Sequence, residues 1–293
     1  MSKGLIISNI SDLYQVKIKD EIVECKARGK LKKDDMSPVV GDIVEIEKIE
    51  NEDGKGVINS IYPRSMYSKR PKIANLTQII LVISLKSPKP DFLLLDKQLA
   101  YAEYLNINPI ICINKIDLGK KEIVDEIHKV YEKIGYKVID TNAKEKIGIQ
   151  NLQKILDGQI TAFSGNSGVG KSTLINSIFG ETKTQEGLVS QKIKRGKNTT
   201  TNTTLYPIKT GYIADTPGFS TFDITEIESR KLALYYKELK NYTKDCEYLD
   251  CNHIKEEKCG IKKALEENKI DIGRYTRYCK IFEELKDKEE HKW

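Results

Sequence analysis

Three stretches with different hydrophobic periods predict a multidomain chain: an N-terminal β-barrel or sandwich, a central parallel α/β sheet, and a mainly helical C-terminal segment. The expected boundaries in the 293-residue chain are 1–65, 66–222 and 223–293. Residues 4–62 alternate apolar and polar in short runs, "LYQVKI", "EIVECKA", "DIVEIEKI" and "GVINSIY", separated by Asp20, Gly41-Asp42 and Asp53-Gly54. Period-two alternation with frequent turns is the pattern of half-buried strands. From residue 75, continuous apolar runs alternate with helical patterns, as in a parallel sheet covered on both faces.

In order, "YPRSMYSKRPKI" (62–73) holds two prolines and four basic residues and reads as a linker. "QIILVIS" (78–84) is a buried strand, followed by a helical pattern from Asp91 to Leu105. Then come strand "PIICIN", a helix over 121–134, strand "YKVID", a short helix over 149–157, strand "ITAFSG" and a helix from 171. Residues 189–207 are Lys- and Thr-rich without a hydrophobic period and read as a loop, and "GYIAD" (211–215) adds a strand. Beyond, "EIESRKLALYYKELKNY" and "RYTRYCKIFEELKDKEE" carry apolar residues at helical spacing.

Hydrophobic content of 39% and charged content of 31% fit a soluble globular chain. No apolar run approaches the ~20 residues of a membrane span. The start "MSKGLIISNI" reads as mature sequence, so the cytoplasm is the expected compartment. The net charge of +6 resides in the centre, where residues 66–222 carry 22 basic and 14 acidic side chains. That excess permits a nucleic-acid partner without demanding one.

"SGNSGVGKST" (164–173) places Gly165, Gly170, Lys171 and Ser172 in the G-x-x-x-x-G-K-[ST] pattern, after a strand and before a helix. Glycines let backbone N–H groups turn around an anion, and the helix N-terminus adds its positive end. Gly165, Asn166, Ser167, Gly168, Val169, Gly170, Lys171, Ser172 and Thr173 are therefore candidate phosphate ligands, with Lys171 reaching the β/γ-phosphates and Ser172 ligating Mg²⁺. "DTPG" (215–218) ends strand "GYIA". Asp215 can hold Mg²⁺ through a water, and the Gly218 N–H can face a γ-phosphate. "NKID" (114–117) ends strand "IICI". The Asp117 carboxylate can accept both N1–H and the 2-amino group of guanine, which adenine cannot supply. Asn114 and Lys115 brace that loop and cover the ring, and Asn142 or Ala143 in "DTNAK" (140–144) can lend a backbone N–H to the guanine oxygen. A threonine of the 189–207 loop, Thr199 or Thr200, completes the Mg²⁺ shell. The base-reading strand end thus precedes the phosphate loop. Circular permutation explains this, since a sheet tolerates a new cut when strand neighbours are kept.

Cys246, Cys251, His253 and Cys259 form C-x4-C-x-H-x5-C. Three thiolates and one imidazole are a closed tetrahedral set, the usual shell of one structural Zn²⁺. Cys25, Cys112 and Cys279 are isolated and read as packed hydrophobes, while His128 and His291 read as solvated.

The whole layout resembles the circularly permuted bacterial GTPases of the RsgA (YjeQ) family, which mature the small ribosomal subunit. "CKARGKLKK" and "VVGDIVEI" look like that family's N-terminal OB-fold barrel, "NKID", "GNSGVGKST" and "DTPG" stand in its permuted order, and the Cys/His spacing looks like its zinc domain. The resemblance implies that barrel and zinc domain dock on the 16S rRNA of the 30S subunit, which stimulates GTP hydrolysis. The family commonly carries Gly-[Arg/Lys]-His-Thr-Thr in the mobile loop, its His positioning water. Here Gly196-Lys197-Asn198-Thr199-Thr200 puts Asn198 in that place, and Phe219 follows "DTPG". Intrinsic turnover is therefore expected to be slow.

The sequence thus predicts a monomeric GTP phosphohydrolase using GTP/GDP, Mg²⁺ and Zn²⁺, with Lys171, Asn198, Thr199, Thr200 and Asp215 as candidate catalytic residues. A guanine-nucleotide-dependent rRNA-binding switch that does not hydrolyse is the alternative. An ATP-using kinase or ATPase is a third reading, and "NKID" argues against it.

Overall fold

The period-two runs of the first sixty residues become β1 (Ser2–Ile10), β2 (Leu13–Ile18), β3 (Glu21–Ala27), β4 (Ile43–Lys48) and β5 (Lys55–Ile61). The later strands are β6 (Tyr67–Lys69), β7 (Lys72–Ala74), β8 (Gln78–Ser84), β9 (Asn108–Asn114), β10 (Lys137–Thr141), β11 (Ile160–Ser164), β12 (Thr204–Ile208) and β13 (Gly211–Asp215). The helices are α1 (Phe92–Tyr104), α2 (Lys121–Lys133), α3 (Ile149–Leu156), α4 (Lys171–Glu181), α5 (Lys237–Lys240), α6 (Gly260–Glu266) and α7 (Ile272–Glu290). The computed structural model describes residues 1–32, 37–181, 203–216 and 224–291. They form two units: the described residues of 1–80, 148–164 and 171–220, and those of 81–147, 165–170 and 221–293.

In the first unit, β1-β2-β3-β5-β4 are hydrogen-bonded in that order and β4 returns to β1. The N-terminal segment is therefore a closed five-stranded barrel, and closure removes exposed ladder edges. Alternation sends Val23, Cys25 and Ala27 inward from β3, beside the fully buried Ile6, Val16, Val44, Ile46 and Ile58. The β1–β2 register shifts between Ile6 and Ser8, a bulge at Ile7. Bulges bend strands, and past this one Ser8 pairs with Thr204 of β12.

Two segments differ from the sequence expectation. Residues 62–73 are not an open linker, for they contain the β6–β7 hairpin and are tied to the barrel. Arg64 donates from Nε and a terminal nitrogen to the two oxygens of the wholly buried Asp42 at 2.7 and 2.8 Å. The Asn75 amide donates to the Gly41 carbonyl at 2.9 Å while accepting the Ser65 N–H at 2.8 Å. The 189–207 loop also ends earlier than expected, because its last residues start β12, antiparallel to β13. Pro207 disguises that strand, since proline within a short apolar run argues against a ladder. β11 runs parallel to β13. Gln78 at the start of β8 donates to the Ile155 carbonyl and the Thr161 hydroxyl at 2.8 and 2.7 Å.

β8 leaves the first unit for the second, where β9 and β10 pair in parallel from Ile110↔Lys137 to Asn114↔Thr141. Asp91 caps α1 by accepting the Leu94 N–H at 3.0 Å. The expected helix over "EIESRKLALYYKELKNY" is interrupted: a 3-10 turn spans Ser229–Tyr235, and α5 follows. Tyr236 between them is extended, which buries its ring under the Arg274 guanidinium at 4.6 Å and edge-on to Tyr278. α7 is held by charge. The wholly buried Asp96 of α1 accepts from Tyr131 at 2.8 Å and from Arg274 and Arg277, and Arg274 also pairs with Glu238. No described helix is long and apolar enough to cross a membrane.

Candidate nucleotide and metal sites

Backbone crowding explains the two outer glycines of residues 165–170. Gly165 has φ +139°, and a Cβ there would lie 2.1 Å from the Val82 carbonyl oxygen. Gly170 has φ +99°, and its Cβ would lie 2.3 Å from Asn114 Nδ2. Only glycine fits such conformations without strain. Asn114, at the end of β9, is buried. Its amide donates to the Val169 carbonyl at 2.9 Å, and its oxygen accepts the Ala143 N–H at 3.2 Å. One side chain thus ties the end of β9 to both the 165–170 loop and the segment 141–143. Lys115 has φ +59°, and its ammonium donates to the Ser87 and Gly168 carbonyls at 2.6 and 2.7 Å. Asp117 lies exposed in the 3-10 turn Ile116–Leu118. The Asn142 side-chain oxygen accepts the Lys144 and Glu145 N–H groups at 3.1 and 3.3 Å, which leaves Asn142 shaping the turn. Asn166 donates to the Asp91 carboxylate at 3.2 Å, while Ser167 and Gly168 are exposed.

In the first unit, Lys171 opens α4 with Ser172 and Thr173 exposed beside it. Burial lowers the Lys171 ammonium below its ordinary pKa, the response of a cation that has lost water and gains from an anion. Asp215 keeps solvent access at the end of β13, yet lost hydration raises its carboxyl, an environment a cation would relieve. Asn198, Thr199, Thr200 and Gly218 lie outside the described residues.

Cys246, Cys251, His253 and Cys259 meet, their ligand atoms all within 4.8 Å of one another. His253 turns Nδ1 toward the Cys246 and Cys259 sulfurs at 3.4 and 3.5 Å. Glu256 organises the loop by accepting the Asn252, Ile254 and Lys255 N–H groups. The Tyr275 hydroxyl of α7 donates to the His253 carbonyl at 2.7 Å. Burial pushes the Cys251 thiol up to about 12 and lowers His253, so thiolates here need a cation and the imidazole stays neutral. Such a set can hold a metal ion.

Sequence reasoning missed Thr141, whose hydroxyl lies 3.2 Å from the Asn114 side-chain oxygen, and Asp91. Thr141 stands within "DTNAK" with no role expected of it, and Asp91 belongs to no spacing pattern. Only the fold brings them to the loops.

An α/β sheet bearing "NKID" on one strand end, ahead in the chain of its phosphate loop and of "DTPG", is the architecture of a circularly permuted GTPase. Comparison with known proteins agrees. Residues 59–225 match the RsgA GTPase family and residues 3–58 the RsgA N-terminal domain. The small ribosomal subunit biogenesis GTPase RsgA of Alkaliphilus metalliredigens is 43% identical over 287 residues, covering 98% of each chain. Its namesake from Clostridium botulinum is 44% identical over 292 residues, covering 99% of this chain and 100% of the relative. The crystal structure of YjeQ from Thermotoga maritima superposes with a TM-score of 0.85 at 35% identity, covering 97% of this chain and 98% of that one. YloQ, described as a circularly permuted GTPase, gives 0.83 at 29% identity over 98% and 96%. The chain belongs to the RsgA GTPase family, and its activity is that of a GTP hydrolase.

Proposed function

We propose that this chain hydrolyses GTP while engaged with the 30S ribosomal subunit late in its assembly, as a cytoplasmic monomer that contacts 16S rRNA. The observation that carries the nucleotide reading is the Asn114 side chain, whose two ends hold the Val169 carbonyl and the Ala143 N–H. It makes one assembly of the segments that would grip phosphate and base. Asp117 selects guanine. Gly165 to Thr173 and Lys171 carry the phosphates, with the Gly218 N–H at the γ-phosphate. Ser172, Asp215 and Thr199 or Thr200 hold Mg²⁺, which supplies charge neutralisation at the phosphates. Asn198 orients water without titrating. The protein's contribution is position and fixed charge, which accounts for most phosphoryl-transfer catalysis.

For the Cys/His cluster we assign Zn²⁺. A tetrahedral zinc with ordinary bond lengths spaces two sulfurs about 3.8 Å apart and sulfur from nitrogen about 3.6 Å. The Cys246–Cys259 sulfurs are 3.9 Å apart and the His253 contacts 3.4 and 3.5 Å. The barrel suits an oligonucleotide, as OB-type barrels do, and the relatives named for the small ribosomal subunit support that partner.

Two measurements test the proposal. Single-turnover GTP hydrolysis is expected to be slow alone and accelerated by added 30S subunits; no acceleration returns the chain to a nucleotide-dependent switch. Asp117→Asn is expected to transfer preference from guanine to xanthine nucleotides; an unchanged preference removes Asp117 from the site.

A further inference from the structure

Asp91 carries two hydrogen bonds that serve different structures. One carboxylate oxygen accepts the Leu94 N–H at 3.0 Å and caps α1. The other accepts the Asn166 side-chain amide of the phosphate loop at 3.2 Å. A surface carboxylate holding a loop is ordinarily worth little, because both partners move. Here the post is fixed. Asp91 begins a helix whose next turn buries Leu95 and Asp96, and Asp96 is pinned by Tyr131, Arg274 and Arg277. A second clasp lies alongside, where the Lys115 ammonium joins the Ser87 carbonyl, four residues before Asp91, to the Gly168 carbonyl. Asp91, Leu94, Gly165 and Asn166 line one small cleft beside the clasp.

We propose that Asp91 is a positioning residue of the nucleotide site: it orients the Asn166 side chain and so fixes the phosphate loop against α1. This rests on the reading of residues 165–173 as the phosphate site. It assigns to Asp91 a share of nucleotide affinity separate from its share of stability. Asn166 receives an acceptor from Asp91, which fixes which end of its carboxamide faces α1, and a loop already ordered spends less binding energy on ordering itself. The hydrogen bond has a charged acceptor, so its loss is expected to weaken GDP binding about three- to tenfold.

The two bonds can be separated. Ser and Asn both cap helices as well as Asp. Serine is too short to reach Asn166, and asparagine, with its oxygen on the Leu94 N–H, turns an amide donor toward the Asn166 donor. Asp91→Ser and Asp91→Asn are therefore expected to leave the melting temperature unchanged while raising the GDP dissociation constant, read with a fluorescent nucleotide in the full chain. Asn166→Ala is expected to cost a similar factor, and Asp91→Ser combined with Asn166→Ala no more than Asn166→Ala alone. Wild-type affinity in both Asp91 variants, or additive losses in the double variant, overturns the proposal. A parallel fall in melting temperature and affinity overturns it too, because it reduces Asp91 to a cap. Lys171→Ala is the control. If it abolishes binding while the Asp91 variants bind normally, only Asp91 is misassigned; if it too binds normally, the phosphate site itself is elsewhere.

Discussion

The N-terminal barrel and the C-terminal region with its Cys/His cluster differ in what they bury. The barrel closes its ladder on itself and fills the interior with Ile, Val and one thiol. The C-terminal region also buries hydrocarbon, with Leu232, Leu239, Ile261, Ile281 and Leu285 inside, but adds to it a thiol–imidazole cluster and buried charges. A hydrocarbon core degrades gradually when trimmed, since each lost methyl removes a modest amount. A buried cluster of charges fails abruptly, because removing one member leaves its partners with less compensation.

The most severe way to break the contrast is to remove the Zn²⁺ that we assign to the Cys/His cluster. Ions in closed Cys/His sites contribute on the order of 10 kcal/mol to folding. Cys251→Ser, or exhaustive chelation, is expected to abolish amide-exchange protection over 246–266 and leave the barrel strands protected. Protection retained in both regions would mean that the cluster is not what holds its loop.

Next comes Arg274→Met. Arg274 is 1% exposed and pairs with Asp96, 0% exposed, and with Glu238. Taking away the guanidinium strips the Glu238 carboxylate of its cation and leaves Asp96 with Arg277 and Tyr131, for an expected loss of about 3–5 kcal/mol in urea unfolding. The matching trim in the barrel, Ile46→Val, is expected to cost about 1 kcal/mol. Similar costs for the two variants would mean that the two regions fail alike.

The smallest effect concerns pH. His128 is not the solvated histidine the sequence suggested, for it bridges Asp140 at 2.9 Å and Glu132 at 3.1 Å. Partial burial lowers its pKa, but the two carboxylates outweigh that and the net shift is upward. A raised folded-state value means the bridge contributes fully below the ordinary histidine pKa and is lost as pH rises through the folded one. His128→Gln is expected to remove this slope near neutrality, a change of no more than about 0.5 kcal/mol given its exposure. A slope that survives in the variant assigns it to another group.

The two regions also differ in how far the sequence disclosed them. Barrel strands follow period two, and the fully buried β8 follows the continuous run "QIILVIS", because those patterns are set by neighbours one or two residues away. The glycines of the phosphate loop were legible for the same reason. The partner of Gly170 was not, since Asn114 meets it across more than fifty residues of chain. The Asp96–Arg274 pair spans 178 residues and has no local signature at all. Tyr236 broke an expected helix because a guanidinium from far along the chain claims its ring. The Cys/His cluster is the exception in its region. Its ligands are crowded within fourteen residues, and spacing alone exposed them.

The bulge at Ile7 lets one strand belong to two ladders, with β1 sealing the barrel against β4 and then handing Ser8 to Thr204. The N-terminal module is consequently not a detachable bead. A chimaera that exchanged it by cutting at the end of β5 would discard the outer edge on which β12 leans. The hairpin that ends at Asp215 would then finish in an open ladder, so any graft must carry the kinked first strand with it.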